Sequence, residues 1–294
     1  MIRHKIEPST ICAGLSILLL GGLLQCVVYY QRNKPEQTQN MELCDPEVLL
    51  PLTKYTHSTI ALFTRCGSQI KTLESLGGVQ LVKLQPNPMV LYLDQLTLKD
   101  IPEKLEPGIV FRWLTVMESK TQLEIKNPGT THVKLCQLLR CLSTVKIETL
   151  VIEKIGKLKS INPKGSPRIP LTITQALTVR KTSVSFFEWF CNRVDLSRCT
   201  NALELSLVEC DTQSIKCLNS LGLQQLSGLF LERLHQLMDV DYQVLRKGHV
   251  KDRISITSIP KTLKLPNDLA KLIKQKRWKK AWLDACLWAQ CQDE

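Results

Sequence analysis

An apolar-x-apolar triplet recurs along this chain at a nearly constant interval. The triplets are Leu96-Thr97-Leu98, Leu123-Glu124-Ile125, Leu150-Val151-Ile152, Leu177-Thr178-Val179, Leu205-Ser206-Leu207, Leu229-Phe230-Leu231 and Ile254-Ser255-Ile256. Their first positions are 27, 27, 27, 28, 24 and 25 residues apart. A period in that range predicts stacked supersecondary units, each with an apolar side that it cannot bury alone. Similar triplets at Leu91-Tyr92-Leu93 and Leu114-Thr115-Val116 fall off the period. After most triplets come two polar positions, a turn and a segment of helical spacing. Behind Ile125, the run Asn127-Pro128-Gly129-Thr130-Thr131 supplies turn chemistry. Leu135, Leu138, Leu139, Leu142 and Val145 then recur at three- and four-residue steps. Ser183 to Val194, Ser214 to Leu223 and Leu237 to Leu245 read the same way. Each unit is expected to be a short strand, a turn and a helix of two or three turns. Residues 156–174 depart from this, because Pro163, Pro167 and Pro170 predict a loop, made basic by Lys157, Lys159, Lys164 and Arg168.

The two ends have patterns of their own. From Ser9 to Tyr30 there is no charged residue. At about 1.5 Å per residue that helix reaches about 30 Å, the thickness of a bilayer core. Tyr29 and Tyr30 suit an interface, and Arg32 and Lys34 follow. Leu24-Gln25-Cys26 fits a signal-peptidase site poorly, so an uncleaved anchor is expected, with the main domain outside the cytosol; cleavage would make the protein secreted. Residues 1–8 form a polar tail, 9–30 the transmembrane helix and 31–40 a linker. Residues 41–90 are expected to cap the array, 91–262 to form it, and 263–294 to form a basic amphipathic C-terminal helix. That helix is expected from Asn267 to Gln290, with Lys274, Arg277, Trp278, Lys279 and Lys280 as candidate contacts to lipid or a partner.

Composition alters the picture little. Charged residues are 22% and hydrophobic residues 44% of 294, as in a folded protein. The net charge of +12 allows nucleic acid, anionic lipid or an acidic protein as partner. Twelve cysteines include no C-x-x-C pair, so reduced, core-packed thiols are expected rather than a zinc site. No H-E-x-x-H, G-x-S-x-G, P-loop or G-x-G-x-x-G motif occurs. His132 and Cys136 could be read as a Cys/His pair, but a helix-start His beside a core Cys is the plainer reading. No catalytic residue, cofactor, metal ligand or small-molecule site is assigned.

The strand pattern resembles the leucine-rich repeat superfamily, in which Leu-x-Leu is followed by x-x-Asn or x-x-Cys. Leu205-Ser206-Leu207-Val208-Glu209-Cys210 is the best match. The corresponding position elsewhere is Ile101, Pro128, Ile155, Thr182, Leu234 and Ile259, so the family's Asn ladder is missing. The membrane-tethered arrangement is also similar to divergent leucine-rich proteins of microsporidian parasites. The resemblance covers about residues 80–262. It implies an α/β fold: a leucine-rich-repeat-like solenoid of short parallel strands alternating with helices, after an N-terminal transmembrane helix. Side chains beside the triplet Leu positions would then line a concave face. These are Gln95, Thr97 and Lys99; Gln122, Glu124 and Lys126; Thr149, Val151 and Glu153; Ala176, Thr178 and Arg180; Glu204, Ser206 and Val208; Gly228, Phe230 and Glu232; and Arg253, Ser255 and Thr257. Lys99, Lys126, Glu153, Arg180, Val208, Phe230 and Glu232 are the expected contacts to a protein partner. Mixed charge there disfavours nucleic acid, which wants a continuous basic track. The expected function is a membrane-anchored, non-catalytic protein-binding module. The alternatives are a membrane-tethered enzyme without a recognisable motif, or a lipid-surface scaffold.

Overall fold

In the computed structural model the described residues are 49–51, 56–65, 69–73, 79–83, 89–106, 108–119, 128–158, 167–275 and 279–292. They belong to one unit, Val48–Glu294. The segment 9–30, expected to span a membrane, lies outside them, as do the tail and linker. Among the described residues no helix is long and apolar enough to cross a membrane.

The N-terminal part mixes a helix with a small sheet. It contains β1 (Leu49–Pro51), α1 (His57–Arg65), β2 (Gln69–Leu73) and β3 (Val79–Lys83). These three strands pair antiparallel in the order β1-β3-β2. Then come β4 (Met89–Tyr92), β5 (Val110–Met117), α2 (Pro128–Leu142), β6 (Lys146–Glu153), β7 (Ile169–Pro170), β8 (Thr172–Arg180), α3 (Val184–Arg193) and β9 (Val194–Asp195). The chain continues with β10 (Leu203–Val208), β11 (Leu226–Glu232), α4 (Gln243–Arg246), β12 (Val250–Thr257), α5 (Asn267–Gln275), β13 (Lys280–Leu283) and α6 (Ala285–Gln292). The fold is α/β, with an eight-stranded parallel sheet in the order β4-β5-β6-β8-β10-β11-β12-β13. β7 and β9 pair separately, also parallel.

The strand order in space follows the order in sequence and never reverses. Parallel crossovers are right-handed, so crossovers that all step the same way return on the same face of the sheet. That face is apolar. Met89, Leu114, Leu150, Leu177, Leu205, Leu229 and Ile254 stand in register across the sheet. Two residues on, Leu91, Val116, Ile152, Val179, Leu207, Leu231, Ile256 and Leu283 form a second ladder. Both ladders are buried, in one cluster with Leu135, Leu138, Leu139, Phe186, Phe187 and Phe190 of the helices. At about 1.5–3 kcal/mol per buried aliphatic side chain, they are the largest apolar contribution to the sheet.

Local chemistry sets the corners. The Ser183 hydroxyl accepts from the Phe186 N–H at 3.3 Å, which caps α3. The same hydroxyl donates to the Gly156 carbonyl at 2.8 Å and so ties α3 to the preceding unit. Among the described residues, five strands end on a non-glycine residue with positive φ: Lys154 (56°), Lys181 (53°), Glu209 (53°), Arg233 (55°) and Ser258 (56°). This conformation costs an L-residue about 1 kcal/mol. It turns the following residue inward, and Ile155, Thr182, Cys210, Leu234 and Ile259 are all buried. The Lys154 N–H still donates to the Arg180 carbonyl, Lys181 to Val208, Glu209 to Glu232 and Arg233 to Thr257, at 2.9–3.1 Å.

Several expectations need correction. Leu96-Thr97-Leu98 is not a strand. The Thr97 N–H and hydroxyl both donate to the Asp100 carboxylate, at 2.7 and 2.8 Å, and a 3-10 turn forms at Leu98–Asp100. Leu123-Glu124-Ile125 lies outside the described residues. The first two strands of the parallel sheet instead use the off-period triplet residues Leu91 and Leu114 to Val116. Ser214 to Leu223 yields a 3-10 helix at Lys216–Leu221. Leu237 to Leu245 contracts to α4, because the N–H groups of Met238 and Asp239 donate to the Gln213 carbonyl of the preceding unit, at 2.8 and 3.1 Å. The single C-terminal helix from Asn267 to Gln290 is replaced by α5, β13 and α6, because Lys280 to Leu283 extend the sheet beside β12. In the basic segment 156–174, residues 159–166 lie outside the description; the rest holds no helix.

The positive-φ corners generate a stability prediction. Ser258→Gly should be more stable than Ser258→Ala by about 1 kcal/mol, the reverse of the order inside a strand or helix. Denaturant unfolding of the two variants measures it. Equal stabilities would mean that the corner carries no conformational penalty.

Candidate functional site

The second face of the parallel sheet has no ladder of buried Leu. Its central row runs Val90, Thr115, Val151, Thr178, Ser206, Phe230, Ser255 and Trp282, one residue from each of the eight strands. The row toward the strand starts runs Trp113, Thr149, Ala176, Glu204, Gly228, Arg253 and Lys280. The row toward the strand ends runs Tyr92, Met117, Glu153, Arg180, Val208, Glu232 and Thr257. Trp113 (47% exposed) and Trp282 (38%) mark the face as open near its two ends. On the same face Val151 and Ser255 are only 5% exposed.

The charges on this face are mostly paired with one another. Glu153 is buried and receives Arg180 Nη2, with Lys154 Nζ at 3.8 Å. Lys181 lies 3.6 Å from Glu209, which also receives Arg233. The Arg233 guanidinium, first, and Lys181 hold the Glu209 carboxyl below the usual range. Arg253 reaches Glu204 at 3.1 Å although β11 lies between their strands. The residue beneath that bridge is Gly228. A Cβ there would stand 2.8 Å from Phe230 Cε2 and 3.5 Å from Glu204 Cγ. The absence of a side chain at Gly228 therefore lets the Phe230 ring lie back along its own strand, beside the Glu204–Arg253 pair. Val208 stands next to the Phe230 strand, one row on.

The expected contacts divide into three groups. Glu153, Arg180, Val208, Phe230 and Glu232 do share this face. Lys99 does not: it is exposed in the 3-10 turn, and Gln95 and Thr97 leave the face with it. Lys126, with Gln122 and Glu124, lies outside the described residues, as do Arg277 and Trp278. Lys274 is exposed in the last turn of α5. Lys279 pairs with Asp252 at 2.7 Å, and Lys280 sits on β13 with Nζ 6.0 Å from the Trp282 ring centre. Missed by the sequence were Val90, Tyr92, Trp113, Thr115, Met117 and Trp282. Their signal was present in the triplets at Leu91 and Leu114 and in the alternation around Ala281-Trp282-Leu283.

Elsewhere the chemistry is quiet. His132 Nε2 is 3.8 Å from Cys136 Sγ, and its ring meets Trp189 edge-on at 5.2 Å. Burial raises the Cys136 pKa, which disfavours a reactive thiolate. Burial, and then the nearby Arg193 charge, lowers that of His132. Cys210 follows the positive-φ corner at Glu209, where its Sγ lies 3.3 Å from the Val179 carbonyl and accepts from the Thr182 hydroxyl at 3.4 Å. Among the described residues no group of three His, Cys, Asp or Glu side chains is placed to hold a metal ion. A cavity of about 110 Å³ lined by Asn219, Gln224, Tyr242 and His249 has room for a few waters.

The chain matches no protein-family profile, no curated protein and no solved structure.

Two outcomes follow from this geometry. Arg180→Met should cost about 1 kcal/mol, because it strips the buried Glu153 of its guanidinium while Arg180 itself is half exposed. Adding Glu153→Gln should recover part of the loss, as read by denaturant unfolding of the two variants. For His132 the folded-state pKa is lowered, so the unfolded chain binds the extra proton first. Stability is then full above the unfolded value of about 6.5 and falls as pH drops through the window below it. Thermal unfolding from pH 7 to pH 5 should show a shallower loss for His132→Gln than for the parent.

Proposed function

We propose that this chain is a membrane-anchored, leucine-rich-repeat-like solenoid that binds a protein partner on the concave side of its parallel sheet. The observation that carries the reading is the strand order. Eight parallel strands follow chain order, in one register through their central rows, and five of them coincide with the periodic triplets from Leu150 to Ile256. A sheet built by one repeated step leaves one long face free of helices, which is how repeat arrays present a binding surface. Val208 and Phe230 form the contact centre of the proposed site. They are adjacent, partly exposed and apolar, and charges that already neutralise each other surround them. Glu153, Arg180 and Glu232 lie in the same row as Val208 and supply orientation and specificity rather than most of the affinity. Residues 9–30 supply the anchor.

A photoreactive amino acid tests the site. Placed at Phe230 in the full-length protein in its native membrane, it should form a discrete adduct that is lost on Val208→Asp. Placed at Met238, 71% exposed and off the sheet, it should not. Equal adducts from both positions, or an adduct indifferent to Val208→Asp in a protein that still unfolds cooperatively, would reject this face as the binding surface.

A further inference from the structure

The parallel sheet ends on β13, which pairs with β12 on one side. Among the described residues no strand pairs its other side, and an edge of this kind is a template for a further strand. Period two divides the strand's side chains. Leu283 is buried toward the helices, while Lys280 and Trp282 are exposed on the second face. Asp252 is engaged by Lys279 at 2.7 Å and Glu204 by Arg253 at 3.1 Å, and Asp284, just past β13, accepts from the Ile259 N–H at 3.0 Å. Lys280 has no acidic partner among the described residues, and its ammonium sits 6.0 Å from the centre of the Trp282 ring. One short edge therefore combines an open ladder, surplus positive charge and an exposed indole.

We propose that β13 accepts an extended acidic-apolar segment of a partner protein as a ninth strand. The register sets the motif. The residue beside Lys280 carries a carboxylate, and the residue two positions away, beside Trp282, carries an aromatic or large aliphatic side chain. Charge complementarity selects this occupant over a second copy of the chain. Two β13 strands paired antiparallel would set Lys280 of each copy beside Trp282 of the other, which gives neither ammonium a carboxylate. The edge lies two strands from Phe230, so this docking does not depend on the partner proposed for the centre of the face.

The probe is a fluorescein-labelled peptide, acetyl-Thr-Glu-Val-Phe-Val-Thr-amide, titrated by anisotropy into the full chain in mild detergent. Saturable binding is expected, weakened on the order of tenfold, about 1.4 kcal/mol, by Lys280→Glu and by Trp282→Ala. Phe230→Asp should leave it unchanged. N-methylation of alternate peptide nitrogens should abolish binding for the set facing β13 and spare it for the other set. A scrambled peptide that binds equally well, or indifference to Lys280→Glu, would overturn the proposal. So would sensitivity to neither N-methyl set, which would mean a charged surface contact without strand addition. Self-association of the chain that is lost on Trp282→Ala would assign the edge to a second copy instead.

Discussion

The parallel ladder of this sheet keeps one register through its central rows, shifting only near the strand starts of three pairings, and everything else in the described chain accommodates it. Each strand must present a Leu, Ile or Val at the same height as its neighbours, because a one-residue slip would turn the apolar set toward water. The chain between successive central positions is 25, 36, 27, 28, 24, 25 and 27 residues long from Val90 to Trp282. Connections of such unequal length still return to one register. The variation is absorbed behind the sheet, where α2, α3 and the 3-10 helix Lys216–Leu221 fill the same role with different lengths.

Holding that register imposes a cost at the corners. Four of the five positive-φ residues carry long charged side chains, although glycine would adopt the conformation more readily. Those side chains have a use at the edge of the second face. Lys154 and Lys181 reach Glu153 and Glu209, and Glu209 also holds Arg233. The corner that turns an apolar residue inward thus places a charge outward. The result is a rim of mutually neutralised groups around the partly exposed Val208 and Phe230.

The periodicity located the later strands because Leu150, Leu177, Leu205, Leu229 and Ile254 do stand on one ladder. Extended backward, the same period of 27 arrives at Leu123 and Leu96, while the sheet uses Leu114 and Met89 at that height. The unit between β5 and β6 is the long one, since it contains the 15-residue α2. A constant step slides past it. Leu96-Thr97-Leu98 has the alternation of a strand, yet the Asp100 carboxylate draws Thr97 into a turn. At the other end, the lysines around Trp278 and Trp282 give a helical reading that the free edge of β12 overrides.

The sequence by itself determined the elements whose signal is local and repeated. These are the Leu triplets of the middle strands, the capped helix after Ser183 and the helical run from Leu135 to Leu142. It also determined which face of each of those strands would be apolar, since alternation is a property of extended backbone. The tertiary structure alone decided where the sheet begins and ends. A strand at either end is short and weakly patterned, and it exists because a neighbour of fixed register offers it hydrogen bonds. It also decided which charges meet. Arg253 and Glu204 are 49 positions apart in the chain, and they meet across the strand between them at its glycine.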